Sequence, residues 1–175
     1  MMGCEDCRLH LYRTNVVLGE GPKPCKVMLI GEAPGRDEDV QGRPFVGSAG
    51  KVLDDILREL GYGRKQLYIT NCVKCRPPLN RIPAYEETQA CRKYLDREFL
   101  EVNPHRVITL GLTATSQFLR TYNLSSIHGK RHMHEFPHGM AELIPVYHPA
   151  YILYSPNRRE VLMEDYRRAL DCLEN

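Results

Sequence analysis

Four short apolar runs rich in β-branched residues dominate the sequence: Lys26 to Ile30, Leu67 to Cys72, Arg106 to Leu110, and Leu143 to Tyr147. Each is bounded by Gly, Pro or Asn, so each reads as a strand. Helical stripes separate them. Val52, Leu53, Ile56, Leu57 and Leu60 form one, closed by Gly61. Cys91, Leu95 and Phe99 form a second, and Leu112 to Thr121 a weaker third. Val161, Leu162, Ala169, Leu170 and Leu173 mark a last helix, with Ser155 and Pro156 suited to its start. Strands alternating with helices require right-handed parallel crossovers. The expectation is an α/β fold, a three-layer α/β/α sandwich around a mostly parallel four-stranded sheet, with residues 1–175 as one domain.

Composition narrows the function. No run of about 18 apolar residues exists to span a membrane, and Met1 to Cys7 lacks a secretory apolar core, which leads us to expect a cytoplasmic monomer. The formal charge is only +2, so any nucleic-acid contact must come from a local patch. Seven cysteines, an odd number, argue against a disulfide frame in a reducing compartment and for ligation by some of them. Cys4-x2-Cys7 and Cys72-x2-Cys75 have the spacing of a zinc or iron-sulfur site. Pairing Cys75 with Cys91 is an equal alternative, and spacing does not choose. Cys25 and Cys172 read as small hydrophobes.

In open α/β sheets, ligands gather at the carboxyl ends of the strands. The first strand leads into Gly31-Glu32-Ala33-Pro34-Gly35-Arg36-Asp37-Glu38-Asp39 and then Gly42-Arg43-Pro44-Phe45-Val46-Gly47. This is neither a P-loop nor a dinucleotide fingerprint, because the defining Gly spacings are missing. The second strand ends at Asn71, whose amide can read the edge of a heterocycle, and the fourth runs into His148. These polar groups share one end of the sheet.

In order along the chain, Cys4-x2-Cys7, Gly31-Glu32-Ala33-Pro34-Gly35, Gly42 to Gly47, Tyr68 to Asn71, Lys74 to Pro78 with Asn80-Arg81, Cys91, and His148-Pro149-Ala150 resemble a family 4 uracil-DNA glycosylase. The resemblance implies a [4Fe-4S] cluster held by Cys4, Cys7, Cys75 and Cys91, with a structural role. It implies that uracil, flipped out of single- or double-stranded DNA, stacks on Phe45 beside Glu32 and Ala33. Asn71 would bond the base and His148 would stabilise charge at its oxygen. For the water-orienting carboxylate the candidates are Glu32, Glu38 and Asp39, with Glu38 favoured. Lys130 and Arg131 form a basic loop for DNA, and Leu153 is the candidate apolar wedge. Gly129 to His134 also resembles a related branch that crosslinks to the abasic sugar, which would make His134 a covalent nucleophile; that branch carries Gln where this chain has Ala33. From other classes, an iron-sulfur redox protein and a non-catalytic uracil-DNA-binding module remain open alternatives.

Overall fold

The computed structural model describes residues 3–121 and 123–173. Five strands, β1 (Val27–Gly31), β2 (Tyr68–Asn71), β3 (Arg106–Leu110), β4 (His132–Phe136) and β5 (Gly139–Val146), form one sheet in the order β2-β1-β3-β5-β4. All neighbours are parallel except β4, which pairs antiparallel with β5. The four expected strands are thus present and a fifth joins them at the edge. Part of the segment read as a basic loop is this edge strand, joined to β5 by a tight turn.

Strand side chains alternate between two cores. Val27, Leu29, Ile69, Ile108, Leu110, Ile144 and Val146 face one cluster, built against helix α2 (Ser48–Glu59) and helix α6 (Arg159–Leu170). Met28, Ile30, Tyr68, Val107 and Leu143 face the other, where Leu95, Phe99 and Val102 of helix α3 (Tyr85–Val102) pack. The sheet is buried on both faces, which explains its continuous apolar runs. Between β1 and α2 lies the short α1 (Arg36–Gln41). The helix expected over Leu112 to Thr121 stops early, as α4 (Leu112–Thr115). There Thr115 Oγ1 donates to the Gly111 carbonyl and Ser116 Oγ to the Thr113 carbonyl, local bonds that compete with continuing the helix. After β5 comes the single turn α5 (Tyr151–Tyr154), and a 3-10 turn, Pro156–Arg158, precedes α6. Among the described residues no helix is long and apolar enough to cross a membrane.

Candidate functional site

The carboxyl ends of β1, β2 and β5 open into a cavity of about 400 Å³ lined by Ala33, Arg36, Asp37, Glu38, Phe45, Asn71, Asn80 and His148, among others. Gly31, at the end of β1, packs beneath two of these side chains as a floor, and nothing larger fits there. A methyl group there would stand 2.4 Å from Asn71 Oδ1 and 2.5 Å from Phe45 Cζ. The ring of Phe45 lies 5.8 Å from the imidazole of His148, centroid to centroid, with the planes tilted by 33°. Asn71 Oδ1 is buried without a hydrogen-bond partner. A buried orphan acceptor at the end of a strand, beside an aromatic face, is an unfilled demand for a polar ligand edge.

Phe45 holds a left-handed backbone, φ 53°, which costs a non-glycine residue about 1–2 kcal/mol. The surroundings enforce it from two sides. Glu38 Oε1 accepts from the Val46 and Gly47 amides at 2.9 and 2.8 Å, and Arg64 donates to the Pro44 and Phe45 carbonyls at 2.6 and 2.8 Å. From below, α2 presses so close that a Cβ on Gly50 would meet the Phe45 carbonyl oxygen at 1.9 Å.

His148 is pushed down to a pKa of about 4 by burial, against the opposing charge of Glu38, so the ring is neutral at pH 7. The Ala150 amide donates to its Nδ1 at 3.2 Å. That bond makes Nδ1 the acceptor and leaves the proton on Nε2.

Two of the three carboxylates expected to position water also hold backbone amides. Besides the two amides above, Glu38 accepts from the Gly35 amide at 3.1 Å, capping α1. These bonds shape the loop that carries Phe45, while Glu38 itself also lines the cavity. Asp39 accepts from the Thr14 and Asn15 amides and anchors the N-terminal segment. Glu32, half-buried, lines an adjoining recess of about 220 Å³ with Pro77, Asn80, Arg81 and His148. Its carboxylate has no hydrogen-bond partner among the described residues.

Two further expectations need correction. His134 stands on the edge strand opposite Ala141, five residues before the end of β5, roughly 17 Å from the mouth at strand spacing. Its ring packs on Phe118 and Phe136, with centroids 5.7 and 4.7 Å away, and burial lowers its pKa. A nucleophile for a sugar at the mouth cannot act from there. Arg131 is paired with Asp171 and Glu142, which compensates its charge within the chain; Lys130 is exposed. Sequence reasoning missed Arg36, an exposed cation on the cavity wall with no partner among the described residues, and Asn80, which lines both recesses. Leu153, in α5 just past His148, is 49% exposed.

A larger groove of about 700 Å³ along α6 offers less chemistry. Most of its charged groups satisfy one another: Arg159 with Glu59, Arg167 and Arg168 with Glu164, His128 with Asp165.

On the other flank of β2, Cys4, Cys7, Cys75 and Cys91 line a single small cavity with Arg13, Val16, Lys74 and Tyr94. Cys72 points into the opposite core, where burial pushes its thiol up to about 12. Cys75 and Cys91, and not Cys72, therefore share the cavity with Cys4 and Cys7. Among the described residues no three His, Cys, Asp or Glu side chains converge tightly enough to hold one metal ion. Four sulfurs around a cavity, with no oxygen or nitrogen ligand needed, are a donor set that fits a multi-iron cluster better than a lone zinc. Next to them, Lys74 Nζ is buried and donates to Thr70 Oγ1 at 2.6 Å, Glu98 Oε2 at 2.7 Å and the Asn71 carbonyl at 2.8 Å.

Comparison with known proteins agrees with this geometry. The family model for the uracil DNA glycosylase superfamily matches residues 18–171. A Type-4 uracil-DNA glycosylase of Sulfurisphaera tokodaii is 44% identical over 174 residues, covering 96% of this chain and 79% of that protein. A second, of Saccharolobus solfataricus, is 42% identical over 178 residues, covering 98% and 82%. The solved structure of Pedobacter heparinus SMUG2 shares the fold with a TM-score of 0.57 at 12% identity, covering 87% of this chain and 77% of that one. The chain belongs to the uracil-DNA glycosylase superfamily and, within it, to the type-4 family.

Proposed function

We propose that this chain excises uracil from DNA by hydrolysing the N-glycosidic bond, leaving an abasic site in an uncut strand. The observation that carries the reading is the convergence of Phe45, Asn71 and His148 over Gly31, with Asn71 Oδ1 buried and unpaired. A base inside a duplex must leave the stack to be reached, and it is then read by its polar edge and stacked on an aromatic ring. Phe45 supplies the ring. Asn71 supplies the amide, its oxygen accepting the N3–H of uracil and its nitrogen donating to a carbonyl.

Cleavage leaves an electron-poor sugar and an anionic uracil. His148, neutral with its proton on Nε2, donates to the oxygen where that charge develops. Glu32 is the carboxylate left free beside His148, and we assign it the orientation of the attacking water. Arg36 and the exposed Lys130 are the cations available to DNA phosphates. Cys4, Cys7, Cys75 and Cys91 would hold a [4Fe-4S] cluster, which supplies an inorganic crosslink between the N-terminal segment and α3.

The test is single-turnover reaction with a uracil-containing oligonucleotide, followed by chromatography for free uracil and denaturing electrophoresis. Free uracil, an alkali-labile strand and no protein-DNA adduct are expected, with His134→Ala reacting at the wild-type rate. Retention of intact uracil-DNA without free base would instead identify a binding module. A second expectation concerns the floor: Gly31→Ala drives Asn71 and Phe45 apart and lowers kcat/KM at least tenfold, while overpacking destabilises the fold by only about 1–3 kcal/mol. Steady-state kinetics and a thermal melt on the same preparation separate the two effects.

A further inference from the structure

One residue beside the cavity wall combines a backbone and an exposure that folding alone does not favour, and it is used by nothing described so far. Leu79 sits between β2 and α3 with a left-handed backbone, φ 54° and ψ 22°, and is 96% exposed. Leucine rarely adopts that conformation, and an exposed leucine forfeits the burial that would repay it. Folding alone offers no reason for it. Its neighbours nevertheless hold it rigidly. Pro77 and Pro78 restrict the approach, the Asn80 amide donates to the Pro77 carbonyl and the Arg81 amide to the Pro78 carbonyl, both at 3.1 Å. Arg76 Nε donates to Asn80 Oδ1 at 2.7 Å, and Arg81 forms a two-pronged ion pair with Glu87 at 2.7 and 2.8 Å. Asn80, itself left-handed at φ 54°, turns into the cavity wall, while Leu79 is left standing outward at its lip. Ile82 and Tyr85, close by in sequence, are also exposed.

Strain held by a stapled loop, with an apolar side chain presented to solvent at the edge of a site, is a device built for a partner. The partner must be apolar where Leu79 meets it and must deliver its ligand into the cavity beside Asn80. We propose that Leu79 is a second apolar wedge, inserting into the base stack of duplex DNA next to the nucleotide that enters the cavity. This inference rests on the uracil-excision reading. Leu153 and Leu79 would then border the opening from different segments, α5 after His148 and the β2–α3 loop, and hold the stack open together. The wedge matters only where a stack and a pairing partner resist extrusion. Its contribution therefore belongs to duplex substrate and vanishes on single strands.

The test compares wild type with Leu79→Gly and Leu79→Asn, residues that accept the left-handed backbone. Uracil release is measured from single-stranded and duplex oligonucleotides, with 2-aminopurine beside the uracil reporting the opened stack and thermal melts reporting the fold. Expected are a roughly ten- to hundredfold lower kcat/KM on duplex for Leu79→Gly, the range for losing one buried apolar side chain. A weaker 2-aminopurine signal, single-strand rates within about twofold of wild type and no fall in Tm should accompany it. Unchanged duplex kinetics overturn the proposal, as does an equal loss on both substrates or a loss tracking a lower Tm. A wild-type dimer in sedimentation that Leu79→Gly abolishes without altering duplex kinetics would instead make the rim a contact between copies, which also overturns it. No uracil release by wild type from either substrate would sink the excision reading itself, an outcome distinct from all of these.

Discussion

Replacing His148 with alanine is expected to lower the single-turnover rate of uracil release by about 10²- to 10³-fold, with KM little changed. The asymmetry follows from where the charge is. In bound uracil the acceptor is a neutral carbonyl, and the bond from Nε2 is an ordinary one. As the glycosidic bond breaks, electrons move onto that oxygen, and the same bond strengthens without any reorganisation of the protein. A donor that acts this way should be neutral beforehand, since an imidazolium buried against Phe45 would bear a desolvation cost in the resting enzyme. The pKa of about 4 meets that condition. It also has a thermodynamic signature. An unfolded histidine titrates near 6.5, so between pH 4 and 6.5 the unfolded chain binds the extra proton and stability rises with pH. The contribution is complete above 6.5 and lost as the pH falls toward 4, by roughly 3 kcal/mol in all. Denaturant unfolding of wild type at pH 7 and 4.5 should show most of that loss, and His148→Ala should lack it. Equal pH dependence in the two proteins would remove the buried neutral imidazole from the account.

The chain's own pattern made the sheet readable where a strand is buried on both faces. Val27 to Gly31 and Val107 to Leu110 are apolar runs, broken only by Thr109, because helices cover both sides. The edge strand β4 was unreadable for the opposite reason. Its histidines and Glu135 leave only Phe136 buried, so His132 to Phe136 looks like a charged loop until β5 pairs with it. The site shows the same division. Phe45, Asn71 and His148 follow strand ends or glycine loops, and the strand-end rule brings them to one mouth. The amide partners of Glu38 were not legible, because the N–H groups of Val46 and Gly47 are made available only by the left-handed turn at Phe45, which no local signal announces. Arg36 and Arg131 differ in just the same way: both are basic and exposed, and only the fold reveals that Arg131 faces Asp171 while Arg36 lines the cavity with no partner among the described residues.

Glu98→Gln is expected to be among the most destabilising single substitutions in the chain, at about 3–5 kcal/mol, because it strips the counter-charge from a lysine with 1% side-chain exposure. Lys74 cannot turn to water; its ammonium is fixed between Thr70, Asn71 and Glu98. The cost comes from the ion left behind, and the pair itself contributes much less. The companion variant therefore matters more than the first. Lys74→Met combined with Glu98→Gln removes the stranded charge, while the glutamine oxygen can still accept the Gly19 amide that Glu98 Oε1 now accepts at 3.1 Å. The double variant should recover a large part of the lost stability in denaturant melts, and a single-variant loss below about 1 kcal/mol would contradict the buried-pair argument. Activity should not recover in step. In the double variant nothing replaces the bond from Lys74 Nζ to the Asn71 carbonyl, and the segment from Asn71 to Cys75 also carries the thiolate cavity's third sulfur. A stable protein with a native-like melt yet a raised KM for uracil-DNA is the expected pattern. It would mean that one buried ammonium holds the base-reading amide in register with the cysteine-lined end of the same turn.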